Sequence, residues 1–189
     1  FTALATLIGD FVAYAVRADS PLQSGKDVIE RLKKDPSALS FGVTAVGGNN
    51  HIALVLAMRS AGVNAAKLKT PVFQSSGDSL SAMLGGHIDV HVGSVGPIRA
   101  HLESGGIRLV AVSSDHRLPG VFAQTPTWKE QDINGTFSTW RGIWGPNRMT
   151  AQQIGFWDQV LGKFSQSDEW KQALDKYDWT NDYRTSRDT

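Results

Sequence analysis

Apolar residues along this chain follow two alternating periods, one typical of strands and the other typical of helices. Leu39, Phe41 and Val43 are apolar at every second position, which predicts a strand. Glycines and asparagines interrupt the apolar pattern between Thr44 and Asn50, and an apolar helix then runs as far as Ala61. The pattern therefore predicts a unit made of a strand, a turn and a helix.

The same unit occurs twice more, although the sequence itself does not repeat. A strand from Leu68 to Phe73 leads through a serine-rich turn into a short helix. A strand from Ile88 to Val92 leads through a glycine-rich turn into a helix with Pro97 in its first turn, and a strand from Ile107 to Val112 follows. Strands that alternate with helices in this way predict an α/β fold with a parallel, doubly wound sheet.

Capping signals predict three further helices. Ser24 with Asp27 and Thr150 with Gln153 have the spacing of a capping box, and Ser167 precedes another helical pattern. The last two helices carry aromatic residues at helical spacing that we expect in the core: Trp157, Trp170 and Tyr177.

The two ends of the chain are less regular. A single strand, Thr136 to Trp144, is predicted near the last two helices, which is too little to build the sheet that they need to cover. The segment Phe1 to Val16 is apolar but short, and Asp10 interrupts it, so we predict neither a signal peptide nor a membrane span. We expect further residues of the protein upstream of Phe1.

Composition narrows the class of protein. With 41% hydrophobic and 20% charged residues, the chain is typical of a folded globular protein. Its 19 basic and 18 acidic side chains leave a net charge of +1, so no excess of charge attracts nucleic acid. The absence of cysteine excludes disulfides and thiolate chemistry, and it suits an oxidising compartment.

The turns between strands and helices are the first place to look for a ligand, because ligands of open parallel sheets bind outside the carboxyl ends of the strands. Helix N-termini present unpaired N–H groups there, so several of them together would favour an anion. Turns of this composition also occur where nothing binds. The candidate contacts in the three turns are Thr44, Gly47, Gly48, Asn49, Asn50, His51, Ser75 and Ser94. The imidazole of His51 either points into the first turn or donates to a backbone carbonyl.

Two enzyme hypotheses compete with binding. Ser94 follows a strand, as a hydrolase nucleophile does, but its surroundings lack the GxSxG pattern and no base is placed beside it. His87, Asp89 and His91 share one strand face, yet the two histidines lie about 13 Å apart along a straight strand, too far for one metal ion. No GxGxxG or GxxxxGK[ST] pattern is present, so we expect no nucleotide cofactor, and the spacing of the histidines predicts no metal site.

Two residues of the predicted strand near the C-terminus are further candidates. The ring of Trp140 either lines a cleft or lies in the core. Arg141 is either an ordinary solvated charge or a clamp for a carboxylate.

At this point a family resemblance becomes visible in an ordered series of motifs. The segments FVAYAVRADSP and DPSALSFGVTAVGGNNHIAL, followed by TPVFQSSGDSLSAMLGGHIDVHVGSVG and GIRLVAVSSDHR, resemble the substrate-binding proteins of tripartite tricarboxylate transporters, the Bug-type receptors. The later segments TPTWKEQ and TWRGIWGP are similar to that family's Val-Pro-Thr and Trp-x-Gly-x-x-x-Pro elements. The resemblance covers nearly the whole chain.

The resemblance implies a periplasmic-binding-protein-like fold of type II, a Venus flytrap whose first lobe is incomplete in this chain. Residues 1–18 and 113–189 would belong to lobe I, and residues 19–112 would form lobe II. The lobes would close by a hinge near Ala18 to Ser20 and Val112 to Ser114. Lobe II would hold a carboxylate through the backbone of one loop, whose residues are Thr44, Ala45, Val46, Gly47, Gly48, Asn49, Asn50 and His51.

The resemblance also implies a monomeric periplasmic receptor that is not an enzyme. It would capture a small organic carboxylate and hand it to the membrane permease subunits of a tripartite transporter. A ligand sensor built on the same fold is the alternative. The chain departs from the family at Gly93 and Ser94, where an acidic or amide residue often touches the far end of the ligand.

Overall fold

The computed structural model describes all residues from 1 to 189. They form two compact units: the larger unit is Phe11–Ser138, and the smaller unit is Phe1–Asp10 with Thr139–Thr189. The elements in chain order are β1 (Thr2–Arg17), α1 (Gly25–Lys34), β2 (Phe41–Gly42), α2 (Asn49–Ser60), α3 (Ser76–Leu84), β3 (Val90–Ser94), α4 (Arg99–Glu103), β4 (Ile107–Val112), β5 (Ser138–Gly145), α5 (Ala151–Phe164), α6 (Asp168–Tyr177) and β6 (Thr180–Arg184).

The sheet of the larger unit has the strand order β2-β3-β1-β4. Strands β2 and β3 are parallel, but the second half of β1 is antiparallel to both of its neighbours, β3 and β4. The prediction of an entirely parallel sheet is therefore wrong. An apolar run carries no information about strand direction, and β1 inserts between β3 and β4 in the opposite sense.

Helices cover both faces of this sheet. Val12, Tyr14 and Val16 pack in one cluster with residues of α1 and α2, whereas Ala13 and Ala15 pack in a second cluster with residues of α3. Because successive side chains of a strand point to opposite faces, a strand that is buried on both faces needs apolar residues at every position. This explains the unbroken apolar run of β1 from residue 11 to residue 16.

The predicted helix starts are confirmed. Ser24 and Asp27 form a reciprocal capping box at α1, and Thr150 and Gln153 form one at α5. Ser167 caps α6 by accepting from the backbone N–H of Trp170. Such signals are local, so the sequence alone is enough to place them.

The predicted strands are only partly confirmed. Strand β4 spans Ile107–Val112 as predicted, and β3 reaches Ser94, two residues beyond its predicted end. The predicted strand from Leu68 to Phe73 is present only as isolated bridges at Lys69 and Val72.

The smaller unit has its own three strands. The first half of β1 pairs with β5 and runs antiparallel to β6. Leu161 of α5 packs on Leu4 and Ala5, while Trp170 and Leu174 of α6 pack on Ile8. Strand β6 and the first half of β1 were not predicted, so this unit has more strands than the sequence pattern indicates.

The aromatic residues of the last two helices divide between the core and the surface. Trp170 is buried as expected, whereas Trp157 is 38% exposed and Tyr177 is 45% exposed. The core expectation is wrong for these two residues.

The compact units divide after residues 10 and 138, whereas the lobe limits expected from the sequence are residues 18 and 112. The lobe limits stay a prediction. None of the helices combines the length and the apolar character that crossing a bilayer requires.

Candidate ligand-binding edge of the larger unit

The three polar turns begin at one edge of the larger unit's sheet. Gly42 pairs with His91 in parallel register, and Val43 forms a parallel bridge with Val72. The chain segments that end near Val43, Phe73 and Ser94 therefore finish side by side, about 4.8 Å from one neighbour to the next. The structure thus brings the three predicted turns together.

The first turn leads from Val43 into α2 and stays open to solvent. Gly47 adopts the left-handed region with φ of 77°, which favours glycine, and Val46 is 70% exposed. Gly48 is the N-cap of α2 and has no side chain to offer, and the first turn of this helix contains no acidic residue. The backbone N–H groups at the start of α2, those of Asn49, Asn50 and His51, therefore have no acceptor within the helix.

His51 folds back over this turn. Its Nδ1 accepts a hydrogen bond from the backbone N–H of Gly47 at 3.1 Å. The imidazole thus points into the turn, which was one of the two predicted arrangements, and it acts there as an acceptor. Nδ1 is unprotonated in this geometry, and its bond ties the ring to the backbone of Gly47.

The second turn, which leads into α3, is closed by its own side chains. Ser75 is the N-cap, and its Oγ accepts from the Asp78 N–H at 3.1 Å and donates to Asp78 Oδ2 at 2.9 Å. A carboxylate in the first turn already occupies the position that favours negative charge. The structure therefore gives Ser75 a capping role.

The third turn differs from its prediction. Ser94 is the last residue of β3 and pairs with Val12, so it lies in the strand and not in a sharp strand-to-helix turn. A short 3-10 turn, Gly96–Ile98, and the five-residue helix α4 follow. A nucleophile elbow needs its serine at the turn itself, so the position of Ser94 argues against the hydrolase hypothesis.

The three residues of the metal hypothesis serve different partners. His87 is exposed, and Asp89 accepts from both the Oγ and the N–H of Ser40, at 2.6 and 2.8 Å. His91 is completely buried and contacts serines of α3. The structure contains no group of three such side chains that could hold one ion.

Trp140 and Arg141 lie on β5 in the smaller unit. Trp140 is 53% exposed, which excludes the core position, and its ring centre is 6.1 Å from that of Trp144. The guanidinium of Arg141 is 3.8 Å from the buried carboxylate of Asp10 and lies over the ring of Trp179. Arg141 therefore already pairs with a carboxylate of its own chain.

One part of this edge was not predicted from the sequence: the contacts of His91 with Ser76 and Ser79. Two signals were available. The serines are one helical turn apart, and a glycine follows the histidine two positions later on the same strand face.

Comparisons with known proteins cover nearly the whole chain. The family described as "Tripartite tricarboxylate transporter family receptor" matches residues 1–189. A curated protein of Cupriavidus necator, the UPF0065 protein in gbd 5'region, is 23% identical over 181 residues, which are 96% of this chain and 54% of that protein.

Solved structures share the fold. A TctC solute binding protein from Polaromonas has a TM-score of 0.82 at 24% identity, over 99% of this chain and 63% of that one. An R. palustris protein solved with adipate has a TM-score of 0.82 at 21% identity, over 99% of this chain and 62% of that one. These likenesses confirm the predicted α/β class of the periplasmic-binding-protein kind. The chain spans about half the length of the curated relative and less than two thirds of either structure.

Proposed function

The chain belongs to the tripartite tricarboxylate transporter receptor family, and we propose that the protein captures a small organic carboxylate in the periplasm and delivers it to a tripartite membrane transporter. The observation that carries this proposal is the uncapped start of α2 at the edge where three turns meet. This helix start offers N–H donors to an anion and carries no competing carboxylate of its own.

The proposed capture uses backbone groups in place of a cationic side chain. Each hydrogen bond from a backbone N–H to a carboxylate contributes about 1.5–3 kcal/mol, and micromolar affinity corresponds to about 8 kcal/mol. Two or three such bonds therefore supply a large share of the binding free energy. The glycine pair allows the ligand close to the backbone, because neither residue places a Cβ in the way.

The proposed contacts are the residues of the first turn and the start of α2: Thr44, Val46, Gly47, Gly48, Asn49, Asn50 and His51. Ser94 and Trp140 stay predicted contacts, and both keep solvent exposure in the structure. Ser75 also stays a predicted contact, but its capping bonds argue against that role.

The proposed role is binding without catalysis. The two enzyme hypotheses draw no support from the positions of Ser94, His87, Asp89 and His91 described above. The R. palustris relative was solved with adipate, a dicarboxylate, which agrees with a carboxylate ligand. A periplasmic location, a monomeric state and the permease subunits as partners are parts of the same proposal.

Calorimetry on the complete mature protein tests the proposal. Di- and tricarboxylates, aromatic acids and nicotinate are titrated in turn, and we expect at least one of them to bind with micromolar or tighter affinity. If none of them binds, the proposal is wrong.

Uptake of the bound acid separates transport from sensing. Deleting the chromosomal copy of the receptor should abolish uptake of that acid by whole cells. Normal uptake in the deletion strain would instead support the sensory alternative.

A further inference from the structure

His91 lies beneath the start of α3, buried from solvent. Its Nδ1 is 2.9 Å from the Oγ of Ser79, and its Nε2 is 3.4 Å from the Oγ of Ser76. The two serines are one helical turn apart on the same face of α3. One imidazole on β3 therefore contacts two hydroxyls of the helix that packs above it.

Gly93 makes room for this arrangement. His91 and Gly93 point to the same face of β3 because they are two residues apart. A Cβ on residue 93 would lie 2.4 Å from His91 Nε2 and 2.9 Å from Ser76 Oγ. The imidazole edge and the Ser76 hydroxyl thus occupy the space above the end of β3 into which any other residue 93 would project.

The direction of the hydrogen bonds follows from burial. Ser79 is completely buried, and Nδ1 of His91 is the acceptor within reach of its hydroxyl. A buried hydroxyl without an acceptor costs free energy, so Ser79 donates to Nδ1. The imidazole proton is then on Nε2, which donates to Ser76 Oγ. Burial lowers the pKa of His91 to about 4, so the ring stays neutral at pH 7.

This bond leaves the hydroxyl of Ser76 as a donor. One lone pair of Ser76 Oγ accepts from His91, and its own O–H remains available at a half-buried position at the edge described above. Ser75 differs, because both its donor and its acceptor are used within the cap.

We propose that Ser76 donates a hydrogen bond to a second acidic group of the ligand, and that His91 is the positioning residue that orients it. This inference rests on the proposed function. The first carboxylate binds at the start of α2, which follows β2, while Ser76 lies above the end of the adjacent strand β3. Helices α2 and α3 pack on opposite faces of the sheet but begin at the same edge, so a diacid that lies across this edge can contact both places. The ligand class is therefore a diacid.

Calorimetry with matched ligands tests the role of Ser76 in the complete mature protein. Adipate and malate are the diacids, and hexanoate and butyrate are the corresponding monoacids. In Ser76→Ala we expect the diacid affinity to fall about tenfold, the value of one hydrogen bond to a charged group, and the monoacid affinity to stay unchanged. Gly62→Ala is the control for the effect of a substitution outside the site, because residue 62 follows the C-terminal end of α2.

Each result has a distinct meaning. If the wild type binds no carboxylate, the proposed function fails and this inference falls with it. If the wild type binds a diacid and Ser76→Ala binds it equally well, only the inference is overturned. Equal losses for diacids and monoacids in Ser76→Ala would also overturn it, because the variant would then have damaged the first carboxylate site.

Variants of His91 separate positioning from structure. In His91→Gln the side-chain amide reaches the place of Nε2 and keeps a donor, so we expect most of the diacid affinity to remain. In His91→Leu we expect the same tenfold loss as in Ser76→Ala, and no further loss in the double variant, because both changes remove one interaction. An additive loss in the double variant would contradict the proposal that His91 acts by orienting Ser76.

A measurement on the wild-type protein tests the proposal even if the variants fail to fold. The ¹⁵N chemical shifts of the His91 ring report its tautomer, and we expect the Nε2–H form from pH 7 to pH 5. Observation of the Nδ1–H form would overturn the proposal, whatever the variants do.

Discussion

Helices α2 and α3 begin at the same edge of the larger unit's sheet, yet their first turns are built in opposite ways. At α3, Ser75 and Asp78 satisfy one another and the backbone. At α2, Gly48 offers no cap, and the one side chain that folds back, His51, contacts Gly47 outside the helix. Turns of similar polarity therefore differ in what they can bind, because the start of α3 has a capped N–H and a carboxylate beside it, whereas the start of α2 has neither.

The buried histidine beneath the start of α3, His91, should make the stability of the protein depend on pH. His91 has a pKa of about 4 when folded and about 6.5 when unfolded. Above pH 6.5 both states are neutral. As the pH falls from 6.5 to 4, the unfolded chain takes up the proton first, so the free energy of unfolding falls by about 3 kcal/mol from this group.

Denaturant titrations at several pH values between 4 and 7 check this expectation. His91→Gln should lose less stability than the wild type over that range, because its side chain does not titrate. His87→Gln removes an exposed histidine just before the same strand and should follow the wild-type curve. Parallel curves for His91→Gln and the wild type would contradict the buried, neutral state.

Giving α2 the cap of α3 should abolish the difference between the two helices. The double variant Gly48→Ser with His51→Asp reproduces the Ser-x-x-Asp spacing of α3, and the backbone of Gly48 already has the extended conformation of an N-cap. We expect carboxylate affinity to fall at least about a hundredfold, because one N–H donor is taken and a negative charge is added beside the others.

The matched control for this variant is Gly48→Ser with His51→Asn, which has the same shape without the charge. We expect a loss of about tenfold there, and a melting temperature no lower than that of the wild type in either variant. Undiminished carboxylate binding in the aspartate variant, measured by calorimetry, would show that the start of α2 is not the site.

The left-handed glycine of the first turn offers a finer test. Residues 47 and 62 have φ of 77° and 79°, and a Cβ on either would meet nothing within 4 Å. Alanine at each position should therefore cost a similar free energy of unfolding, about 1 kcal/mol, because only the backbone is strained.

Only Gly47→Ala should change binding, since it shifts the turn that His51 holds. We expect an affinity loss of about tenfold for Gly47→Ala, the value of about 1.4 kcal/mol, and less than a twofold change for Gly62→Ala. Equal affinities in the two variants would remove the first turn from the site.

The smallest expected effect concerns the closed helix. Ser75→Ala removes the cap of α3 and should lower the free energy of unfolding by about 1 kcal/mol, as Ser24→Ala should at α1. The carboxylate affinity of Ser75→Ala should fall less than about threefold, because its bonds are internal. A tenfold loss would show that Ser75 contacts the ligand and that the two helix starts are more alike than the structure indicates.

The sequence predicts local features of this fold well and pairing features poorly. The predicted caps at Ser24, Thr150 and Ser167 are confirmed, because each cap depends on residues within one helical turn. Strand β6 was missed because Thr180–Arg184 is polar and becomes a strand only through its pairing with β1. The direction of β1 likewise depends on neighbours that are distant in sequence.

The candidate edge shows the same division. The strand-turn-helix pattern is enough to place Gly47, Gly48 and the start of α2 at the ends of parallel strands. It does not separate the capping role of Ser75 from a binding role, because that difference lies in one bond to Asp78. The contact of His91 with Ser76 joins residues 15 positions apart and requires the packing of α3 on β3.

The space above the end of β3 also constrains how this protein can diverge. A Cβ on residue 93 would overlap the imidazole of His91 and the hydroxyl of Ser76, so a side chain at position 93 requires His91 to shift or to be replaced. Positions 76, 91 and 93 should consequently change together among close homologues. Close homologues with histidine at position 91 should keep glycine at position 93 even where their ligands differ.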